Sequence, residues 1–162
     1  MRIFSGKVEV KNVSDTLSKI NDAADVCGSV IVVIDAEKTA GVSHIESAVL
    51  HAQRSFAAGE NIARTLAMEV LVYVSGQRQC SLAAKFGLHE GKNAVYAVIL
   101  EGDEARAEAM LKEIISVCDV PPADTRRLMR EFDISEEELS VTGEERIGEL
   151  VAERTAMVDA WK

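Results

Sequence analysis

The chain lacks several features that mark whole classes of protein. No apolar run in its 162 residues approaches the ~20 residues that a membrane-spanning helix needs. The first residues, Met-Arg-Ile-Phe-Ser-Gly, contain no apolar segment of the kind found in signal peptides. The three cysteines, Cys27, Cys80 and Cys118, are odd in number and far apart, which predicts neither a disulfide framework nor a metal site. We expect a cytoplasmic protein with reduced thiols and no membrane association.

Motifs of catalysis are also missing. The sequence has no Walker loop, no Gly-x-Gly-x-x-Gly, no nucleophile elbow and no His-Glu-x-x-His. His44 and His51 are two helical turns apart, a spacing that without a third ligand is typical of a solvated helix surface. Cys80 lies near a predicted helix N-terminus, but with no histidine close in sequence a small buried thiol is the favoured interpretation. We predict no catalytic residue, no metal and no cofactor, and a protein that is not an enzyme.

Positive charge is scarce, because 18 Lys and Arg face 27 Asp and Glu for a net charge of −9. This balance argues against a nucleic-acid partner, since phosphate binding needs cations. The charge is uneven, however: residues 51–92 carry five basic and three acidic side chains, and residues 93–162 carry eight basic and seventeen acidic ones. The middle of the chain is therefore its positive part, although an acidic protein with an average middle would show the same pattern.

Hydrophobic patterning predicts a single α/β domain over residues 1–162, with a small mixed or antiparallel sheet of about three or four strands packed with several helices. The β-branched run in residues 29–35 is typical of a strand covered on both faces. Residues 2–10 predict a strand or a hairpin bent at Gly6, and residues 94–100 predict another strand. Helices are predicted over residues 14–27, 61–74 and 77–86, after capping boxes at 43–46 and 142–145, after Asp103, and in a helical tail from about residue 121.

The most informative stretch is residues 64–79, where an apolar run leads into the polar turn Ser-Gly-Gln-Arg-Gln. Ser75 is a good N-cap for the helix that follows, and Gly76 can take backbone angles that a β-carbon forbids. A helix N-terminus with free amides, together with Arg78 and two glutamines, predicts a site for phosphate or ribose oxygens.

The apolar run contains one carboxylate, Glu69, which is costly to bury unless it is paired or hydrogen-bonded. No second acid or base stands beside it, so a catalytic role is not indicated. We predict a structural role, in which Glu69 accepts backbone amides of residues 75–79 or pairs with Arg64 or Arg78 and thereby holds the turn.

The last predicted helix carries an apolar stripe with an arginine inside it. This pattern favours a helix docked on its own domain. The alternative is that part of the stripe, above all Trp161, contacts another protein. The stripe consists of Ile147, Leu150, Val151, Arg154, Val158 and Trp161.

The central stretch resembles the small kinase-binding subunit of the KEOPS complex, the family of the PRPK-binding protein, in its archaeal type. Archaeal members show a pattern of the kind Met-Glu-x-Leu-Val-x-x-Ser-Gly-Gln-Arg-Gln, which residues 68–79 match. The resemblance continues through Ala83, Ala84, Phe86 and Gly87 and into the strand after Asn93, and element order fits over roughly residues 1–118.

The resemblance implies a non-enzymatic subunit that binds the kinase-like ATPase subunit of KEOPS, a complex that makes threonylcarbamoyladenosine at position 37 of ANN-decoding tRNAs. It also implies recruitment of tRNA through the single-stranded 3′ CCA end. In this family a C-terminal helix is implicated in contact with the kinase subunit, which keeps open the interpretation that the apolar stripe meets another protein. The partner-binding candidates from that stripe are Leu150, Val151, Arg154, Val158 and Trp161. Tyr73 would stack a base only if the helix presents it outward, and a core position is favoured. The RNA-binding candidates are Arg64, Ser75, Gly76, Gln77, Arg78, Gln79 and Lys85.

A second hypothesis belongs to another class. The turn at residues 75–79 would bind a small anion or metabolite, in a domain unrelated to tRNA. The salt dependence of binding separates the two, because a tRNA engages several phosphates and a one-phosphate metabolite does not.

Overall fold

The computed structural model describes residues 1–161, which form two compact units. The first unit contains Met1–Asp35 and Gly87–Pro121, and the second contains Ala36–Phe86 and the chain from Pro122 onward. The first unit holds the sheet, and the second is built from helices. The predicted α/β class is confirmed.

The sheet of the first unit has four strands in the order β2-β3-β1-β4, and every neighbouring pair is antiparallel. Two helices, α1 and α5, lie against one face over a core that includes Ile20, Ile99 and Leu111. Residues of β2 are buried on both faces, as its continuous apolar run predicts. The elements are β1 (Arg2–Val10), α1 (Val13–Cys27), β2 (Val30–Asp35), β3 (Gly91–Leu100), α5 (Glu104–Leu111) and β4 (Ser116–Val117).

Gly6 does not bend β1, which runs unbroken through it and pairs there with Val95 on one side and Val117 on the other. A β-carbon at Gly6 would lie 2.5 Å from the carbonyl oxygen of Ser116. The glycine is therefore explained by the close approach of β4, and the predicted hairpin is wrong.

The helix after Asp103 forms as predicted, with the Asp103 carboxylate accepting the amide of Arg106 at 3.1 Å. The helix ends at Leu111, and Cys118, which follows β4, is half-buried. In α1 the buried face is formed by Ile20, Ala23 and Cys27, whereas Leu17 is 41% exposed.

The second unit packs α2, α3 and α8 together around an apolar core. Short 3₁₀ turns cover Ala36–Lys38, Ala84–Phe86 and Glu144–Arg146. The α-helices are α2 (Val42–Ala58), α3 (Leu66–Ser75), α4 (Cys80–Ala83), α6 (Thr125–Glu131), α7 (Glu136–Thr142) and α8 (Ile147–Ala160).

Both predicted capping boxes are wrong. Helix α2 begins at Val42 after Gly41, which places Ser43 inside the first turn, and α8 begins at Ile147 after a 3₁₀ turn. Neither helix has a side-chain cap. A capping box does form at α7, where Ser135 and Glu138 cap each other's backbone amides. Among the described residues, no helix is long and apolar enough to cross a membrane.

Candidate functional site

Helix α3 is shorter than the sequence predicts. Residues 61–65 lie outside it, and it begins after Thr65, whose hydroxyl accepts the amide of Met68 at 3.2 Å. From Leu66 to Ser75 the side chains are mostly buried, in agreement with the predicted buried helix. Helix α3 ends at Ser75, where the predicted turn begins.

The carboxylate of Glu69 is fully buried. It stabilises the chain at the N-terminal end of α3 and not the turn at its C-terminal end. It accepts the Ser55 hydroxyl at 3.0 Å and the amides of Ile62 and Ala63 at 3.1 Å and 2.7 Å. The predicted partners, which were the amides of residues 75–79, Arg64 and Arg78, are therefore wrong. The physical reason is that Glu69 lies in the first turn of α3, where helical side chains lean toward the N-terminus.

Ser75 is the last residue of α3 and not the N-cap of the next helix. Its hydroxyl donates to the carbonyl of Val72 at 3.0 Å and accepts the amide of Gln77 at 3.1 Å. Gly76 ends the helix in the left-handed conformation, with φ of 68°. Helix α4 begins only at Cys80 and has four residues, so the predicted row of free amides after Ser75 is not formed.

His44 is buried and not part of a solvated helix surface, which corrects the sequence interpretation. Its Nδ1 accepts the amide of Ala40 at 3.1 Å, and its Nε2 therefore carries the proton that is donated to the carbonyl of Val74 at 3.0 Å. Burial lowers the pKa of His44 from 6.5 to about 4, so the ring is neutral at pH 7. It ties the start of α2 to the end of α3.

Helix α8 approaches the turn closely. A β-carbon at Gly76 would lie 3.3 Å from the carbonyl oxygen of Arg154, and the hydroxyl of Thr155 donates to the carbonyl of Tyr73 at 2.9 Å. The Arg154 guanidinium donates to the carboxylate of Glu138 at 2.8 Å and, together with the Ser135 amide, lowers the pKa of that carboxyl. The docked C-terminal helix is thus an integral part of the second unit.

This docking decides which partner-binding candidates are accessible. Leu150, Val151 and Val158 are buried within the second unit, where they act as packing residues. Arg154 is half-buried and occupied by its hydrogen bonds to the backbone and to Glu138. Trp161 keeps 43% of its surface exposed. Of the five predicted partner residues, Trp161 is therefore the most accessible.

Tyr73 is fully buried, which confirms the core position and excludes base stacking on its ring. Its hydroxyl donates to Asp159 at 2.5 Å, and the ring stacks on His51 with centroids 5.4 Å apart.

The exposed side chains of the turn form a pocket of about 260 Å³, which we call the Arg78 pocket. Arg78 donates from Nη1 to the carbonyl of Trp161 at 2.8 Å, and its guanidinium carbon lies 5.7 Å from the centre of that indole ring. The pocket therefore combines a cation, two amide side chains and an aromatic ring. It is lined by Gly76, Gln77, Arg78, Gln79, Leu82 and Trp161.

Arg64 and Lys85 are exposed but do not line the Arg78 pocket. Arg64 precedes α3 and Arg78 follows it, so about 15 Å of helix separates their backbones. Lys85 lies in the 3₁₀ turn after α4, where its carbonyl accepts the ammonium of Lys38 at 2.7 Å. Ser75 contributes its hydrogen bonds to the turn but no accessible side chain.

A slightly larger pocket, of about 310 Å³, lies beside the start of α2. The charged groups there are largely used by one another, since Arg146 donates to Glu149 at 2.6 Å, and the ring nitrogens of His44 are both bonded. The larger size of this pocket therefore does not identify it as the functional site. The Arg78 pocket has more polar groups that can still bind a ligand.

Comparison with protein families decides the relationship. The sequence model of the family described as kinase binding protein CGI-121 matches residues 8–159. The chain belongs to the CGI-121 family. This confirms the resemblance to the small kinase-binding subunit seen in residues 68–79. No curated protein matches the sequence.

The CGI-121 match includes the turn and most of α8, but it ends two residues before Trp161. The contact between Arg78 and Trp161 also joins residues 83 positions apart. Sequence reasoning named both residues but assigned them to different surfaces, and it missed Leu82. The one available signal was that Trp161 is the single tryptophan of the chain.

Proposed function

We propose that this CGI-121 protein is a non-catalytic subunit of the KEOPS tRNA-modification complex. It binds the kinase-like ATPase subunit and recruits tRNA through the 3′ CCA end, which enters the Arg78 pocket. The proposal that tRNA binds here is supported by the pocket itself. Gln77, Arg78 and Gln79, which match the family pattern, supply a cation and two amides, and the ring of Trp161 lies beside them.

Arg78 is suited to hold an RNA phosphate. A guanidinium has five N–H donors, and within residues 1–161 Arg78 uses one of them, toward the carbonyl of Trp161. The remaining donors point to a planar, bidentate contact with phosphate oxygens. Arg64, at the other end of α3, serves a more distant phosphate in this proposal, and Lys85 extends the cationic track.

Gln77 and Gln79 supply the groups that distinguish bases. A glutamine amide both donates and accepts, as base edges and ribose hydroxyls do. Because Ser75 fixes the amide of Gln77 and Gly76 closes the helix before it, these side chains extend from a rigid turn. Rigid presentation lowers the entropy that binding must offset.

The kinase-binding half is supported by the family description. We place the contact on the solvent face of α8, because the inward face of that helix is buried in the second unit. Met157, 36% exposed, is a large apolar residue on this face.

The RNA proposal is tested by measuring the dissociation constants of intact tRNA and of tRNA trimmed of its CCA end. The salt concentration is varied between about 50 and 200 mM, a range over which affinity for tRNA falls steeply. We expect wild type to lose affinity on trimming, and Arg78→Ala to bind both RNAs equally weakly. Arg64→Ala is the matched control, since it removes an equal charge outside the pocket and should keep the preference for CCA.

Equal binding of intact and trimmed tRNA would contradict the RNA half. Binding of a single-phosphate metabolite with a shallow salt dependence would favour the small-ligand hypothesis instead. The kinase half is tested separately, by co-purification of the kinase-like ATPase subunit with wild type and with Met157→Glu. Retention of the subunit by Met157→Glu at full affinity would contradict the placement on α8.

A further inference from the structure

The side chain of Trp161 is partly exposed to solvent and is also held in place by Arg78. It keeps 43% of its surface exposed at the end of α8, in the wall of the Arg78 pocket. Two contacts with Arg78 hold it there, the 2.8 Å hydrogen bond to its carbonyl and the guanidinium 5.7 Å from the ring centre. A planar ring that is exposed and already fixed loses little entropy when a second planar group stacks on it.

We propose that Trp161 is the stacking platform for one nucleobase of the RNA 3′ end, an inference that rests on the proposed function. The Arg78 pocket, at about 260 Å³, is smaller than the ~300–1,000 Å³ of pockets for drug-sized ligands, which suits one base with its ribose. The base lies against the exposed part of the indole, and Arg78 stays in place as the anchor of the ring.

The composition around Trp161 favours a base over a protein side chain. Its apolar neighbour in the pocket is Leu82, 36% exposed, and the other side chains of the lining are the cation and the two glutamine amides. A small apolar slot edged by hydrogen-bonding groups matches a base, which has apolar faces and polar edges. A protein-docking face would present a broader apolar area.

The residues of the Arg78 pocket then have separable roles. Arg78 neutralises a phosphate, so its contribution weakens with salt. Trp161 stacks on an uncharged ring, so its contribution is nearly independent of salt. Loss of Arg78 should lower the slope of log affinity against log salt by about 0.7 for each phosphate released, and loss of Trp161 should leave that slope unchanged.

Because the chain has one tryptophan, its fluorescence reports on this site alone. We would titrate the full chain with a single-stranded oligonucleotide that ends in CCA, and with three versions in which one of the last three bases is replaced by an abasic ribose. Wild type should show quenching with the complete oligonucleotide. One abasic version should abolish the quenching and weaken binding roughly fivefold to a hundredfold.

Trp161→Ala should bind the complete oligonucleotide and that abasic version equally, because the stacking partner is gone from the protein. Trp161→Phe should recover part of the affinity. Val141→Ala, on α7, 88% exposed and outside the Arg78 pocket, is the control and should bind as wild type does.

Failure of the inference differs from failure of the proposed function. If wild type shows no CCA-dependent binding, the proposed recruitment of tRNA fails, and the stacking role fails with it. If wild type binds in a CCA-dependent manner but Trp161→Ala binds equally well and no abasic version matters, the stacking role is overturned and the proposed function stands. Loss of kinase-subunit binding by Trp161→Ala, with RNA binding intact, would assign Trp161 to the protein interface instead.

Discussion

The hydroxyl of Tyr73 donates a 2.5 Å hydrogen bond to Oδ1 of Asp159, from the core of α3 to the last turn of α8. The other carboxylate oxygen of Asp159 lies 2.6 Å from Nδ1 of His51 on α2, and the ring of His51 stacks on that of Tyr73. Three helices thus meet at one carboxylate. Because Asp159 precedes Trp161 by two residues, this cluster positions the wall of the Arg78 pocket.

Tyr73→Phe removes the hydroxyl from this cluster. We expect a loss of about 1 kcal/mol in the free energy of unfolding, since one partner of a hydrogen bond to a carboxylate is deleted. The fluorescence of Trp161 should also change, because the last turn of α8 is less firmly held. Tyr96→Phe is the control: Tyr96 is half-buried, and its hydroxyl has no hydrogen bond within residues 1–161. Equal urea midpoints for the two variants would contradict this role.

Gly76→Ala tests the close approach of α8 to the turn. Gly76 and Gly59 both end helices in the left-handed conformation, with φ of 68° and 70°. An alanine costs about 1–2 kcal/mol at either position for that reason. At Gly76 the new β-carbon also meets the backbone of Arg154 at 3.3 Å, whereas at Gly59 nothing lies within 4 Å.

Gly76→Ala should therefore destabilise the protein by about 1 kcal/mol more than Gly59→Ala in chemical unfolding. It should also weaken CCA-dependent RNA binding, which Gly59→Ala should leave unchanged. Identical unfolding curves for the two variants would contradict this prediction, because they would show that α8 accommodates the extra methyl group without loss of stability.

Glu69→Ala should be among the most damaging single changes in the second unit. It removes the carboxylate that accepts the buried amides of Ile62 and Ala63, and it opens a cavity. We expect a loss of about 3–5 kcal/mol in the free energy of unfolding. Glu60→Ala, on an exposed side chain of the same loop, should change it by less than about 0.5 kcal/mol. Comparable melting temperatures for both variants would contradict the buried role of Glu69.

The buried His44 predicts a dependence of stability on pH. Its pKa is about 4 in the folded protein and 6.5 when unfolded, so between these values the unfolded chain binds the extra proton. Stability should therefore fall by up to about 3 kcal/mol as pH drops from 6.5 to 4, and this contribution should be flat above pH 6.5.

The free energy of unfolding can be measured in urea between about pH 4 and 7. In His44→Gln it should depend less on pH below about pH 6.5 than in wild type. Carboxylates such as Glu138, whose pKa is lowered, also lose stabilisation in acid, so the comparison between variant and wild type isolates the histidine. A wild-type slope that survives in His44→Gln would contradict the assignment.

The hydrophobic pattern predicted correctly those elements whose signals lie within their own stretch of sequence. The β-branched run of β2, the end of α1 at residue 27 and the inward face of α8 at Leu150, Val151 and Val158 are examples. Their periodicity or end signal lies within one element, so no distant residue is needed to interpret it.

The site was less predictable because its contacts are distant. A Ser-Gly pair is compatible with either the start or the end of a helix. In the structure it ends α3, and Arg154 of the distant helix α8 packs against Gly76 there. The partners of Glu69 come from α2 and from the loop before α3. The pairing of Arg78 with Trp161 has no signature in either local sequence.

The residues that RNA contacts can be identified directly by NMR spectroscopy. We would record amide and indole chemical shifts of the ¹⁵N-labelled chain with a CCA-ended RNA stem and with the same stem trimmed of CCA. If the CCA end enters the Arg78 pocket, the CCA-ended RNA shifts the amide signals of residues 76–79 and the indole signal of Trp161, and the trimmed RNA does not. Equal shifts with both RNAs, or shifts confined to residues outside the Arg78 pocket, would contradict it.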